Sequence, residues 1–221
     1  MTVLICARNE AENLPHVLPL IPNCVDEVLM IDGHSTDKTV AVARQLCRVR
    51  VLQQPGTGKG RAFRYGVEQA SGDIVVTLDA DGETDPQELP RFLDALFAGA
   101  DFIKGSRFKG GWGRKPPHRV FGNWVIAKTC NLLYGTRFTD VCCGYNAFWR
   151  HVAGEVDLWA ADGWNYEPLL VARLLRAGRD VRELGYAYGG RFSGDSKLPD
   201  WRQGLAAMWV LARERFRRRA A

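Results

Sequence analysis

The feature that most restricts this chain is a series of four short, apolar, β-branched segments in its first hundred residues, each followed by a stretch of helical length. Residues 3–7, 27–31, 49–53 and 73–78 read as strands, the last of them DIVVTL. Residues 10–20, 36–47, 60–71 and 86–98 read as helices, with Ser35 or Thr36 as the N-cap of the second. Strands and helices alternating at this length imply βαβ units, hence an α/β fold with a mostly parallel sheet flanked by helices. In such sheets ligands collect beyond the carboxyl ends of the strands. That rule directs attention to four polar or glycine-rich loops, at residues 7–12, 32–37, 55–60 and 79–86.

The second half is less regular. Residues 102–104, 144–149 and 180–187 read as strands, and 120–133, 167–177 and 201–219 as helices, with Gly178 closing the middle one. Loops rich in basic residues fall at 109–117 and 189–199. There is no internal repeat or low-complexity linker, so a single domain is expected over 1–221. An apolar fraction of 46% with 25% charged residues excludes a disordered or fibrous chain. The six cysteines show no CxxC spacing and no histidine cluster, which argues against zinc and for a reduced setting. The longest clear apolar run, 205–212, is too short to span a bilayer, and the N-terminus lacks the marks of a signal peptide. A cytoplasmic protein touching membranes only peripherally is therefore expected.

The net charge of +5 is concentrated in basic groups at 104–119 and 213–219, which suits phosphate, anionic lipid or nucleic acid, or else a solvated basic face. Trp201, Leu205, Trp209 and Ala212 fall near one side of the last helix, ahead of its basic end. Such a helix can lie in a headgroup region or pack on the domain.

Asp79 and Asp81 directly follow a strand expected to be buried on both faces. Two carboxylates there repel unless a cation sits between them, and oxygen-only ligands favour Mg²⁺ or Mn²⁺; Glu83 offers a third oxygen. The alternative is an acidic turn built on Asp81-Gly82. Asp32 also ends a strand, where a carboxylate can hold a base or ribose, or simply cap the turn. Residues 56–60 (GTGKG) lack the Ser or Thr and the spacing of a Walker loop, which excludes a P-loop NTPase, yet Lys59 and nearby N–H groups can still approach a diphosphate. Arg107, Arg119, Arg191 and Lys197 lie on expected loops, where convergence would bind a phosphate dianion and isolation would leave solvated charges.

Seven ordered segments, ARNEAENL, IDGHSTDKT, GKGRAFRYG, SGDIVVTLDADGETDP, KGSRF, TDVCCGYNAFWR and RFSGDSKL, give the chain a family resemblance over essentially its whole length. It resembles the inverting GT-A glycosyltransferases of family 2, and within them the polyprenyl (dolichyl) phosphate mannose synthases. The resemblance implies a nucleotide-sugar half at 1–100, an acceptor half at 101–198 and a C-terminal basic amphipathic helix at 199–221. It implies that Ala7, Arg8, Asn9, Glu10 and Asp32 line the nucleoside pocket and that Asp79 and Asp81 bind the metal, with Glu83 where Gln is frequent. It places Arg107, Arg119, Arg191 and Lys197 on donor and acceptor phosphates, Ser196 beside them, and Asp140 near the acceptor. Gly33 and His34 depart from the family's DDGS-type motif, which bears on the nucleotide. Cys142–Asn146 depart from its TSGFR-like segment, which bears on the acceptor.

The implied reaction moves mannose from GDP-mannose to a polyprenyl phosphate with inversion at the anomeric carbon, Lys59 and the metal neutralising the departing diphosphate. A phosphate acceptor is already ionised and needs no strong base; a hydroxyl acceptor would need one, with Asp140 the candidate. Nucleic acid is not an expected partner. The competing readings are a same-fold transferase using UDP-glucose or UDP-GlcNAc and a soluble hydroxyl acceptor, a sugar-phosphate nucleotidyltransferase, which ARNEAEN after the first strand disfavours, and a non-catalytic basic binding module, which the acidic pair disfavours.

Overall fold

The computed structural model describes residues 1–46, 48–111, 116–156, 162–194 and 201–217. In chain order the elements are β1 (Thr2–Ala7), α1 (Leu14–Val17), β2 (Glu27–Asp32), α2 (Thr39–Gln45), β3 (Val49–Gln53), α3 (Lys59–Gln69), β4 (Ile74–Asp79), α4 (Leu89–Phe97), β5 (Phe102–Ser106), α5 (Arg107–Gly110), α6 (Pro117–Tyr134), β6 (Asn146–Trp149), α7 (Arg150–Gly154), α8 (Tyr166–Arg176), β7 (Val181–Gly185) and α9 (Trp201–Phe216). The seven strands form one sheet in the order β3-β2-β1-β4-β6-β5-β7. The first four elements of that order are parallel, as expected. β6 runs antiparallel to both of its neighbours, β4 and β5, so the sheet is mixed.

Helices cover both faces. On one side α4 presses Leu89, Phe92 and Leu96 against Val76, Ile103 and Tyr145. On the other, α3 and α8 bring Phe63, Tyr166 and Leu169 onto Leu4, Leu29, Phe102 and Phe148. Phe102 and Phe148, paired across β5 and β6, stack at 5.2 Å between ring centroids. A third cluster lies under α6 and α9, where Ile126 and Cys130 meet Val171, Ala207 and Leu211.

Several expected boundaries shift for local reasons. The helix expected over 10–20 is only α1 and a following 3₁₀ turn, each opened by a proline in its first turn. The expected capping of α2 by Ser35 or Thr36 is corrected: the helix begins at Thr39, whose N–H donates to Asp37 Oδ1 at 2.9 Å. Ser35 and Thr36 instead bind the loop after β1. Gly178 does close α8, with φ of 76° that a side chain would strain.

Glu27 ties the opposite end of the sheet together, accepting from the Thr2 hydroxyl at 2.7 Å, the Ser71 N–H at 2.9 Å and Arg50 at 3.1 Å. Burial raises the carboxyl's pKa, but these hydrogen bonds outweigh it and hold the group at about 2. A pKa lowered by folding adds stability above the unfolded value near 4.3 and loses it as pH falls towards the folded value. Glu27→Gln is therefore expected to flatten the loss of stability between about pH 4.5 and 2, read by urea midpoints across that window. Phe102→Ala, which opens a cavity against Phe148, should cost about 3–5 kcal/mol with an unchanged denaturant slope.

Candidate active site

The four loops singled out by the topology meet at one edge of the sheet. Asn9, with φ of 54°, donates its N–H to Ser35 Oγ at 2.9 Å and accepts from Thr36 N–H at 2.8 Å. Glu10 N–H donates to Thr39 Oγ1 at 2.8 Å, and Gly33 N–H to the Ala7 carbonyl at 2.8 Å. A Cβ at Gly33 would lie 3.2 Å from that of Arg8, so this tight seam favours the glycine found there. Asp32 is buried and accepts from Ser35 N–H at 3.2 Å, while His34 Nε2 meets the Gly56 carbonyl at 2.8 Å. Ala7, Asn9 and Asp32 thus share one wall, and Arg8 lies exposed beside it.

Asp79 closes β4, and its carboxylate receives Lys59 Nζ at 2.7 Å. Glu167, 5% exposed on α8, lies 3.5 Å from the same ammonium, and the Trp164 ring flanks it at 4.9 Å. Burial opposes the charge on Lys59, yet Asp79 and Glu167 together hold its pKa well above the ordinary lysine value. Burial likewise disfavours ionised Asp79, but Lys59 outweighs it and keeps the carboxyl below its usual range. Glu167, more deeply enclosed, is shifted upward by burial. Beneath Asp79 the chain allows no side chain at residue 144, where a Cβ would lie 2.3 Å from the carboxylate.

Asp81 faces Arg191, whose guanidinium reaches its Oδ2 at 3.0 Å and both oxygens of Glu10 at 2.6 and 2.7 Å. Glu10 is therefore spent on an arginine from the far end of the chain, a contact that its expected place in the nucleoside pocket did not include. The same segment is fastened by Ser193 N–H to Asn13 Oδ1 at 2.9 Å and by Phe192 stacking on His16 at 4.5 Å. Burial, and then the nearby Asp79 and Glu83, push the Asp81 carboxyl up to about 7. This corner is short of positive charge despite Arg191.

Those donors fit a hard divalent cation: two carboxylates at a strand end, oxygen only, one raised in pKa by its acidic neighbours. Among the described residues no three His, Cys, Asp or Glu side chains are gathered for a metal. Glu83, the expected third ligand, has its carboxyl beside the Tyr188 hydroxyl and its N–H on Asp81 Oδ1 at 3.1 Å. Two protein carboxylates suit an ion that keeps waters and takes substrate phosphates.

Two further expectations change. Asp140 is 0% exposed and holds Arg107 through Nε at 2.6 Å and Nη2 at 2.9 Å. Burial disfavours its charge, but Arg107 keeps its pKa low. A sealed, low-pKa carboxylate has no access to an acceptor hydroxyl, so the general-base role is corrected to that of a clamp on Arg107. The start of α3 is also taken: the Asp162 carbonyl accepts from Gly60 N–H at 2.9 Å and Arg61 N–H at 3.4 Å. Those two N–H groups are therefore occupied, while Lys59 carries its charge from the glycine-rich loop to Asp79. Arg119 sits half-buried in the first turn of α6. Ser196 and Lys197 lie outside the described residues.

The model of glycosyl transferase family 2 matches residues 2–156. The chain belongs to that family. It is 35% identical to the polyprenol monophosphomannose synthase of Mycolicibacterium smegmatis, over 89% of this chain and 80% of that protein. It is 31% identical to the undecaprenyl-phosphate mannosyltransferase of Micrococcus luteus, over 96% of this chain and 97% of that one. Among solved structures, glucosyl-3-phosphoglycerate synthase from Mycobacterium tuberculosis, in complex with Mn²⁺, UDP and glucosyl-3-phosphoglycerate, superposes with a TM-score of 0.74 over 96% of this chain and 77% of that one, at 21% identity. That likeness shows the GT-A fold.

Within this family 2 chain, sequence reasoning overlooked Glu167, Lys104 and Glu183. Each leaves a trace: Glu167 is the one acid in the otherwise apolar start of α8, and Lys104 the one charge inside β5. Lys104 is 1% exposed and donates to the Cys143 carbonyl. Glu183 accepts the N–H groups of Thr139 and Asp140 at 2.7 and 2.8 Å, fixing the turn that presents Asp140. Asp140→Asn should leave the Arg107 charge buried without its partner and cost about 3–5 kcal/mol, read as a fall in the urea midpoint.

Proposed function

We propose that this protein transfers a hexose, mannose from GDP-mannose, to a polyprenyl phosphate with inversion at the anomeric carbon. The observation that carries the reading is the carboxylate pair Asp79 and Asp81, each met by a basic side chain, Lys59 and Arg191. This arrangement suits a Mg²⁺- or Mn²⁺-bound nucleotide diphosphate. The lipid acceptor is supported by the relatives: the two mannose transferases above, and the dolichyl-phosphate hexose transferase of Haloferax volcanii, 30% identical over 93% of this chain and 90% of that protein.

In this reading Ala7, Arg8, Asn9 and Asp32 receive the nucleoside, while Asp79 and Asp81 hold the cation. When bound, the cation supplies positive charge against the diphosphate. Lys59 neutralises the leaving oxygen as the bond from C1 to the donor phosphate breaks. The new bond joins C1 to an oxygen of the acceptor phosphate from the opposite face, and the nucleoside diphosphate departs. Arg107, held rigid by Asp140, with Arg119, Arg191, Ser196 and Lys197, positions the phosphates. A phosphate acceptor arrives ionised, which agrees with a site whose one former base candidate is sealed. The lipid acceptor also calls for peripheral contact with a membrane, and among the described residues no helix is long and apolar enough to cross one.

The test supplies purified protein with GDP- and UDP-sugars, Mg²⁺ or Mn²⁺, and a short polyprenyl phosphate. A labelled lipid product from GDP-mannose, abolished by chelator and by Asp81→Asn, is expected. Lys59→Met should lower kcat by about a hundredfold or more, with a smaller change in KM. Transfer from a UDP-sugar to a water-soluble hydroxyl acceptor, with none to lipid phosphate, would overturn the reading.

A further inference from the structure

Two neighbouring helices turn large apolar side chains away from the domain. In α6 the buried residues are Ile126, Ala127 and Cys130. Phe121, Trp124 and Leu132 are 64%, 47% and 86% exposed. At 100° per residue these three and Lys128 fall on the side opposite the buried group. In α9, Ala207, Val210 and Leu211 are buried, while Leu205, Trp209 and Phe216 are 51%, 60% and 78% exposed on the opposite side. The helices pack together through the cluster around Cys130 and Leu211, and the Tyr134 hydroxyl donates to the Leu211 carbonyl at 2.8 Å. Phe121 and Trp124 stack on each other at 5.9 Å. Six large apolar side chains on two packed helices exceed the scattered exposure of an ordinary soluble surface.

The charges on these helices have one sign. α6 contains no acidic residue. The one acid of α9, Glu214, is 2% exposed and paired with Arg173 at 3.0 Å. Lys128 lies over the Trp124 ring at 5.7 Å and Arg213 over the Trp209 ring at 5.1 Å, so each tryptophan carries a cation on its ring face. Around the C-terminal end of α9, Arg176, Arg215 and Arg217 line an open hollow of about 470 Å³ with Tyr134 and Leu175. A second copy of this face would set like charges against one another. A nucleic acid would meet the cations and leave Leu132, Leu205 and Phe216 in water. An anionic bilayer satisfies both features, since rings and leucines enter the headgroup boundary while lysine and arginine reach lipid phosphates.

We propose that the outward faces of α6 and α9 together form a docking surface for an anionic lipid bilayer. The proposal deepens the lipid-phosphate reading by assigning the side of the protein that lies on the membrane, with α6 an equal partner to the basic C-terminal helix. The test is co-sedimentation with vesicles of phosphatidylcholine, with and without roughly one-third phosphatidylglycerol. Binding about tenfold or more tighter to the anionic vesicles, weakening with salt, is expected. Two triple variants, Phe121→Ser/Trp124→Ser/Leu132→Ser and Leu205→Ser/Trp209→Ser/Phe216→Ser, change exposed positions, so their melting temperatures should match the wild type. Each should lower vesicle binding about tenfold or more while leaving transfer to a detergent-dispersed short polyprenyl phosphate unchanged.

Wild-type binding by the α6 variant, equal affinity for neutral vesicles, or loss of self-association in place of vesicle binding would each overturn the surface. Loss of transfer to the dispersed acceptor would also overturn it, because these side chains would then belong to the acceptor site. Vesicle binding is measured without donor or acceptor. A protein that binds vesicles through α6 but makes no lipid-linked sugar leaves this inference standing and removes the proposed function; active protein with no vesicle affinity does the reverse.

Discussion

Repulsion between Asp79 and Asp81 at the end of β4 organises the charged half of this molecule. Lys59 and Arg191 take their places in answer to it, and residue 144 is a glycine because Asp79 fills the space a side chain would need. Bringing two carboxylates to one strand end costs free energy, offset here by cations delivered from α3 and from beyond β7. The partition is uneven. Asp79 keeps its charge beside Lys59, whereas Asp81 is pushed up to about 7 even with Arg191 at 3.0 Å.

The segment carrying Arg191 shows how distant parts of a chain can share one charge balance. Glu10, following β1, and Asp81, following β4, meet on a single guanidinium. Ser193 and Phe192 then pin the same stretch to Asn13 and His16. The arginine therefore bridges the two loops that flank β1 and β4, neighbours in the sheet. Its side chain is also set by two acids rather than one, which restricts the directions it can take.

How much of this was legible in the sequence depends on the range of the interactions involved. Local periodicity located β1 to β4 and the helices between them, because alternating apolar segments and turn residues are properties of neighbouring positions. The strand-end rule then brought the loops with Asp32, Lys59, Asp79 and Asp81 to one edge. What periodicity could not carry was pairing across the chain. That Asp140 belongs to Arg107, that Glu10 belongs to Arg191, and that the Asp162 carbonyl caps α3 all depend on contacts dozens of residues apart. Ser35 and Thr36 illustrate the same limit on a smaller scale: cap-forming side chains were visible, but their use on the loop after β1 required the neighbouring strand. The reversed direction of β6 was hidden too, since an apolar run carries no mark of its orientation.

That reversal has a consequence for how the molecule is made. β6 lies between β4 and β5 although it is synthesised after both. Until it arrives, one side of β4 has no strand to pair with, and Ile74–Leu78 presents an almost wholly apolar edge. A ribosome-bound chain that has reached only residue 140 or so would carry this open seam, the kind of edge on which intermolecular strands collect. Pausing or truncation in that interval exposes the chain to aggregation, and insertion of Asn146–Trp149 is the step that seals it.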